Sequence, residues 1–126
     1  MATSIKVSNP VKLQMYQGDS VDFEVILEDD QTIPVAIDLT GATIESKLKE
    51  EFTSTTEYPF TVVNTDLANG IFNLIMTDTE TLALPITGSK ARKSFVFDIR
   101  VQHASGQVET PVYGDIVVDR NRSWPL

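Results

Sequence analysis

Period-two alternation of apolar and polar residues in about seven segments, turn chemistry every 8 to 12 residues or so, and a single short helical signal predict an all-β fold. The expected architecture is an immunoglobulin-like antiparallel β-sandwich of about seven strands with one short crossover helix. At 126 residues the chain fits one domain, able to bury roughly two thirds of the surface its unfolded form exposes. Residues 1–126 are read as that single domain, with 1–9 as an N-terminal arm and 120–126 as a C-terminal tail.

The clearest strand is Val21 to Leu27, where Val21, Phe23, Val25 and Leu27 share one face and Asp22 and Glu24 the other. Before it, Gln17-Gly18-Asp19-Ser20 has turn chemistry, so Val11 to Tyr16, with Val11, Leu13 and Met15 alternating, is expected to be its hairpin partner. Glu28 to Thr32 ends the strand in polar residues, and Pro34 predicts that the next segment begins at a sheet edge. Asp38-Leu39-Thr40-Gly41 then leads into a strand with Ala42, Ile44, Ser46 and Leu48 spaced by two; Gly41 permits the tight turn. Lys49 to Pro59 lacks periodicity and reads as an exposed loop or irregular edge.

Phe60 to Asn64 and Ile71 to Met76 flank Asp66 to Gly70, whose Asn69-Gly70 step tolerates positive φ and closes a hairpin. That pair is expected at the centre of a sheet, because Ile71, Phe72, Leu74, Ile75 and Met76 put apolar groups on both faces. Thr77 and Glu80 stand in capping-box spacing, Leu82 and Leu84 are expected to face inward, and Pro85 stops the helix, which crosses between sheets. Ser94 to Gln102, the turn around Gly106, and a long return strand through Val112, Gly114, Ile116 and Val118 complete the set.

Composition excludes several classes of function. Apolar residues make up 41% and charged residues 22%, as in ordinary globular proteins. No run of ~18 apolar residues and no signal-peptide pattern is present, so neither a membrane nor Sec-type export is expected. The absence of cysteine removes disulfides, thiolate nucleophiles and thiolate zinc sites, and fits a reducing cytoplasm. The net charge of −8 is uneven: Asp19 to Asp30 holds six acids and no base, whereas Ala91 to Leu126 holds five bases against four acids. Without a continuous basic surface, nucleic acid is not an expected partner. Polarised charge suits either solubility or assembly with a fixed direction.

No catalytic, cofactor or metal site is expected. His103, the only histidine, falls in the polar tip of the last hairpin, where it reads as a turn residue. Glu28-Asp29-Asp30 and Asp78-Thr79-Glu80 do not match a calcium loop with its distal glutamate. Asp22 and Glu24 sit roughly 7 Å apart on one strand face, yet a catalytic acid needs an apolar pocket and theirs is the polar side. Lys90, Arg92 and Lys93 follow Gly88-Ser89 without a phosphate-binding glycine loop, and read as an ordinary loop or a contact for an acidic partner.

The termini carry the candidate docking residues. The one tryptophan lies in Arg120-Asn121-Arg122-Ser123-Trp124-Pro125-Leu126, so Arg120, Arg122, Trp124, Pro125 and Leu126 either fold back on the sandwich or insert into a neighbouring subunit. Ala2 to Asn9, with Ile5 and Val7, is expected to add an edge strand to its own domain or to a partner's.

Asp38-Leu39-Thr40-Gly41 with its strand, Asn69-Gly70-Ile71-Phe72 with Leu74, Thr79 to Pro85, Phe97-Asp98-Ile99 and Gly114-Asp115-Ile116-Val117-Val118 resemble, in this order, small tailed-bacteriophage structural proteins related to the N-terminal domain of baseplate upper proteins. The resemblance covers roughly Val11 to Asp119. It implies a non-enzymatic virion protein on a β-sandwich, made in the host cytoplasm, that attaches fibres or other tail or baseplate subunits and forms homo-oligomers in the particle. It supplies no catalytic residues. A capsid decoration protein is the alternative within that class. A carbohydrate-binding module is the alternative outside it, although Tyr16, Tyr58, Tyr113 and Trp124 form no single platform in the sequence pattern.

Overall fold

The computed structural model describes residues 3–5, 9–28, 35–86 and 91–120, which form two sheets packed face to face. In chain order the elements are β1 (Thr3–Ile5), β2 (Val11–Tyr16), β3 (Val21–Ile26), β4 (Thr43–Lys49), β5 (Tyr58–Pro59), β6 (Thr61–Asp66), β7 (Ile71–Met76), α1 (Asp78–Leu82), β8 (Arg92–Gln102) and β9 (Val108–Asp119). Strand order is β1-β3-β7-β6 in one sheet and β2-β9-β8-β4-β5 in the other. If β1 and β2 are the two halves of a divided first strand A, the sheets read A-B-E-D and A′-G-F-C-C′, which is the arrangement of immunoglobulin-like sandwiches. The fold class predicted from alternation is therefore the observed one. Seven strands have six or more residues; β1 and β5 are short edge strands.

Alternation explains the core. Phe23 and Val25 of β3 with Phe72, Leu74 and Met76 of β7 face Leu48 of β4, Phe95, Phe97, Ile99 and Val101 of β8, and Val112, Ile116 and Val118 of β9, all buried in one apolar cluster. Fully burying a side chain of this size contributes about 1.5–3 kcal/mol, so this layer is the main source of stability in a chain without disulfides. Two edge-to-face ring pairs, Phe23 with Phe60 at 6.0 Å and Tyr58 with Phe95 at 6.3 Å, seal the side where the short edge strand β5 passes into β6.

The expected hairpin of Val11–Tyr16 with Val21–Leu27 does not form. β2 instead runs parallel to β9, from Val11 opposite Gly114 to Tyr16 opposite Asp119, while β3 pairs antiparallel with β7 in the other sheet. Gln17 to Ser20 is thus a passage between layers. Gln17 N–H donates to Asp119 O at 2.9 Å, Gly18 turns with φ +84°, and Gly18 N–H donates to Thr81 Oγ1 at 3.0 Å. Alternation fixes which face of a strand is covered but not which strand supplies its hydrogen bonds, and either sheet can cover the same apolar side. Gly114 decides the pairing: a Cβ there would lie 1.8 Å from Val11 O, so only glycine lets β2 dock at this point. β1 also pairs in parallel, with β3; the other ladders are antiparallel.

Three further expectations need correction. The β6–β7 hairpin closes at Gly70 with φ +71° as predicted, but only β7 is central; β6 is an edge strand, and most of its Thr61–Asp66 run is exposed. In α1 the capping box between Thr77 and Glu80 is present, yet Leu82 is exposed and the inward residue beside Leu84 is Thr81. α1 ends at Leu82 with Ala83 as its C-cap, so Leu84 lies beyond the helix and the two leucines share no helix face. Thr81 earns burial by accepting from Gly18 N–H and donating its own hydroxyl to Asp19 O at 2.8 Å. Finally, Arg92 and Lys93 belong to β8 and not to a loop; Lys90 and Pro34 lie outside the described residues.

Candidate docking face

The five-stranded sheet turns Lys47 and Lys49 of β4, Val96 and Asp98 of β8, and Tyr113 and Asp115 of β9 outward, because their neighbours in each strand point into the core. Register places them in two rows, Lys49–Val96–Asp115 and Lys47–Asp98–Tyr113. Pro10 and the loop after β4 rise at the two sides, and the result is a groove of about 520 Å³. Phe52 overhangs it with 85% of its surface exposed; Tyr113 is 51% exposed.

The loop bearing Phe52 is held by specific contacts. Lys49 Nζ donates to Phe52 O at 3.1 Å, Ser54 N–H donates to Glu51 O at 3.1 Å, and Glu51 N–H donates to Ser54 Oγ at 3.0 Å. Glu50 forms an ion pair with Lys93 at the base of the loop. Beyond it Lys47 Nζ meets Glu57 Oε2 at 2.7 Å. That hydrogen-bonded contact holds the Glu57 carboxyl below the usual carboxylate range and raises the Lys47 ammonium above the usual lysine range. Asp98 and Asp115, by contrast, have no ion-pair partner within 4 Å among the described residues. On the opposite rim, Asn9 extends the β2–β9 ladder with its side chain: its Nδ2 donates to Pro111 O at 2.9 Å, and its Oδ1 accepts from Tyr113 N–H at 3.0 Å.

Sequence-chosen residues fare differently. Ile5 lies in β1, where its backbone is in register with Val25, so this part of the arm joins its own domain. Arg120 follows the end of the last strand at Asp119, with its N–H donating to Ala91 O at 2.7 Å. Val7, Arg122, Trp124, Pro125 and Leu126 lie outside the described residues. His103 is at the hairpin tip, where Nε2 meets Glu109 Oε1 at 2.8 Å and Gly106 N–H donates to His103 O. Arg92 pairs with the buried Asp119 at 3.1 Å. Asp78 and Glu80 are taken up in capping α1, and Asp22 accepts from Asn73 Nδ2 at 2.6 Å. Among the described residues, no three His, Asp or Glu side chains gather into a cation site. Asp38 accepts from both the hydroxyl and the N–H of Thr40, and these bonds hold its carboxyl below the usual range.

The groove itself has no counterpart among the sequence expectations. Its one signal in the sequence is Phe52, a large apolar residue in the middle of an otherwise polar, aperiodic stretch.

No family model matches the sequence, and no curated protein matches it. Among solved structures, one of murine CRIg is similar at 10% identity with a TM-score of 0.38, over 90% of this chain and 94% of that chain.

Proposed function

We propose that this protein is a non-enzymatic structural adaptor of a tailed-bacteriophage virion, docking fibres or other subunits to the tail or baseplate. The observation that carries the docking role is the outer face of the five-stranded sheet, where Phe52 stands 85% exposed over an aromatic-walled groove. A side chain of this size buries about 150 Å² or more when covered, and a loop fixed by four polar contacts presents it with less backbone ordering cost than a free loop would. Aromatic anchors in a preformed hollow, rimmed by charge, are the composition of protein interfaces. The virion context comes from the resemblance in Val11 to Asp119.

The mechanism is assembly. Apolar burial supplies affinity, and the uneven charge of the chain sets orientation. The test is to fractionate purified particles into heads and tails and to identify the protein in each by mass spectrometry. Recovery with tails or baseplates is expected. Recovery with heads alone would make it a capsid decoration protein, and absence from mature particles would overturn the reading.

A further inference from the structure

The outward residues of the five-stranded sheet carry a charge pattern that runs across the strands. Lys47 and Lys49 stand on β4, Val96 and Asp98 on β8, and Tyr113 and Asp115 on β9, so the face is basic at one side and acidic toward the other. In the row Lys49–Val96–Asp115 the two charges are two strand spacings apart, about 9.6 Å. Among the described residues neither has an ion-pair partner within 4 Å. Lys49 uses one of its donors on Phe52 O and keeps the others. A surface that covered this row with its charges in the reverse order would pair both ends at once and bury Val96 between them.

The same face of a second copy is such a surface. Resting on the reading of this face as a docking surface, we infer that the protein forms a two-fold dimer through it, with the axis along β8 at Val96. A two-fold axis lying in the interface leaves β8 opposite β8 and sets β4 of each copy opposite β9 of the other. Lys49 then meets Asp115 of the other copy twice, and Val96 packs on Val96. Face-to-face sheets lie about 10 Å apart, a gap that a lysine and an aspartate side chain bridge from the two sides. Phe52 stands at the β4 rim of the groove and Pro10 at the β9 rim. The same rotation lays each Phe52 over the Pro10 and Tyr113 side of the other copy and covers a ring that is 85% exposed in one copy. Lys47, bound to Glu57, comes opposite Tyr113. Asp98 meets its own kind beside the axis, with Lys47 next to it in each copy. A partner of a single charge sign would leave one end of the row unpaired, whereas this isologous contact pairs both and closes at two copies.

Charge reversal tests the pairing. Purified full-length protein is followed by sedimentation from about 1 µM to about 1 mM, the range of weak and moderate dimers. The salt is about 0.15 M, so that repulsion between two chains of net charge −8 is screened beyond about 8 Å. Monomer and dimer are the species expected. Lys49→Glu and Asp115→Lys each set like charges together at both ends of the row, and each is expected to weaken dimerisation about tenfold or more. In an equimolar mixture of the two variants opposite charges meet at both ends again, so a dimer holding one copy of each is expected, read by native mass spectrometry. Circular dichroism and a urea midpoint first establish that both fold. Lys49→Met gives up the bond to Phe52 O without reversing the charge, and is expected to weaken the dimer less than Lys49→Glu does. Equal losses in those two variants, or a mixture that stays monomeric, would overturn the inference.

Asp98→Asn removes the like charge at the axis and is expected to tighten the dimer about threefold; a dimer no tighter than wild type would overturn the placement of the axis. Wild type that stays monomeric throughout the range, or that assembles past two copies, would overturn the dimer itself. Self-association is read on purified protein and virion location on particles. A monomeric protein recovered with tails would sink this inference and leave the adaptor role standing, and a dimer absent from particles would do the reverse.

Discussion

The two outer faces of this sandwich are built by the same alternation and finished in opposite ways. On the four-stranded sheet, side chains satisfy one another across strands: Thr65 Oγ1 of β6 donates to Asn73 Oδ1 of β7, and Asn73 Nδ2 donates to Asp22 Oδ1 of β3. That relay leaves Asn73 only 9% exposed on a nominally outward face. On the five-stranded sheet the corresponding positions hold Val96 and Tyr113, Lys47 paired with Glu57, Lys49 bound to the Phe52 carbonyl, and two carboxylates with no ion-pair partner within 4 Å among the described residues, with Phe52 above them. A face whose polar groups are already paired gains little from a partner, whereas one that leaves aromatic surface in water gains by being covered. The difference teaches that the period of a strand does not identify a docking surface; the state of its outward groups does.

The largest test of this contrast removes the platform beneath the open face. Gly114→Ala would press a methyl group into the Val11 backbone, with its oxygen at 1.8 Å, and β2 cannot withdraw without losing its ladder to β9. We expect a loss on the order of 3 kcal/mol, measured by urea unfolding. A loss under ~0.5 kcal/mol would mean that β2 contributes little to the fold.

Next in size is the closed face. Asn73→Leu removes the centre of the relay; Thr65 is exposed and Asp22 half-buried, so water takes up part of the loss and the cost is about 1 kcal/mol. Assembly should be unaffected. If Asn73→Leu impaired association more than folding, the four-stranded face would be the docking surface and the comparison would be reversed.

Phe52→Ala is the converse. At 85% exposure the side chain contributes almost nothing to the isolated fold, and a change within about ±0.5 kcal/mol is expected. Incorporation into particles, measured against wild type by mass spectrometry, should fall at least tenfold. A destabilisation above ~1 kcal/mol with unchanged incorporation would show that Phe52 is a packing residue of its loop.

How far the sequence carried this comparison is set by the same physics. Alternation in Val21–Leu27 and Ser94–Gln102 revealed inward and outward positions, and Asn69-Gly70 and Thr77-x-x-Glu80 revealed a turn and a cap, because each of those signals is local. The placement of β2 depends on a contact between Val11 and Gly114, 103 residues apart, and no local pattern encodes it. The groove depends likewise on strands β4, β8 and β9 arriving side by side, so Tyr113 and Phe52 could be read singly but not as neighbours. Composition singles out Trp124 and its flanking arginines as it does any rare or charged residue, but it carries no information on what such residues meet.

The smallest expected effect lies in the ion pair at the rim of the open face. Lys47 and Glu57 are about equally exposed, at 42% and 43% of their side chains, so water screens their attraction and the pair contributes little to folding. Its pH signature is nevertheless defined. The Glu57 carboxyl titrates below its ordinary range because Lys47 donates to it, so its contribution is present above the unfolded carboxylate pKa, about 4.3, and is lost as pH falls through the lowered folded value. The Lys47 ammonium titrates above its ordinary range for the reciprocal reason, so its contribution is present below the unfolded lysine pKa, about 10.4, and is lost as pH rises through the raised folded value. Glu57→Gln should therefore unfold slightly earlier than wild type on a plateau between those limits and coincide with it at the acid end. Urea midpoints at a series of pH values measure this. A gap that widened toward acid would show that Glu57 is held by something other than Lys47.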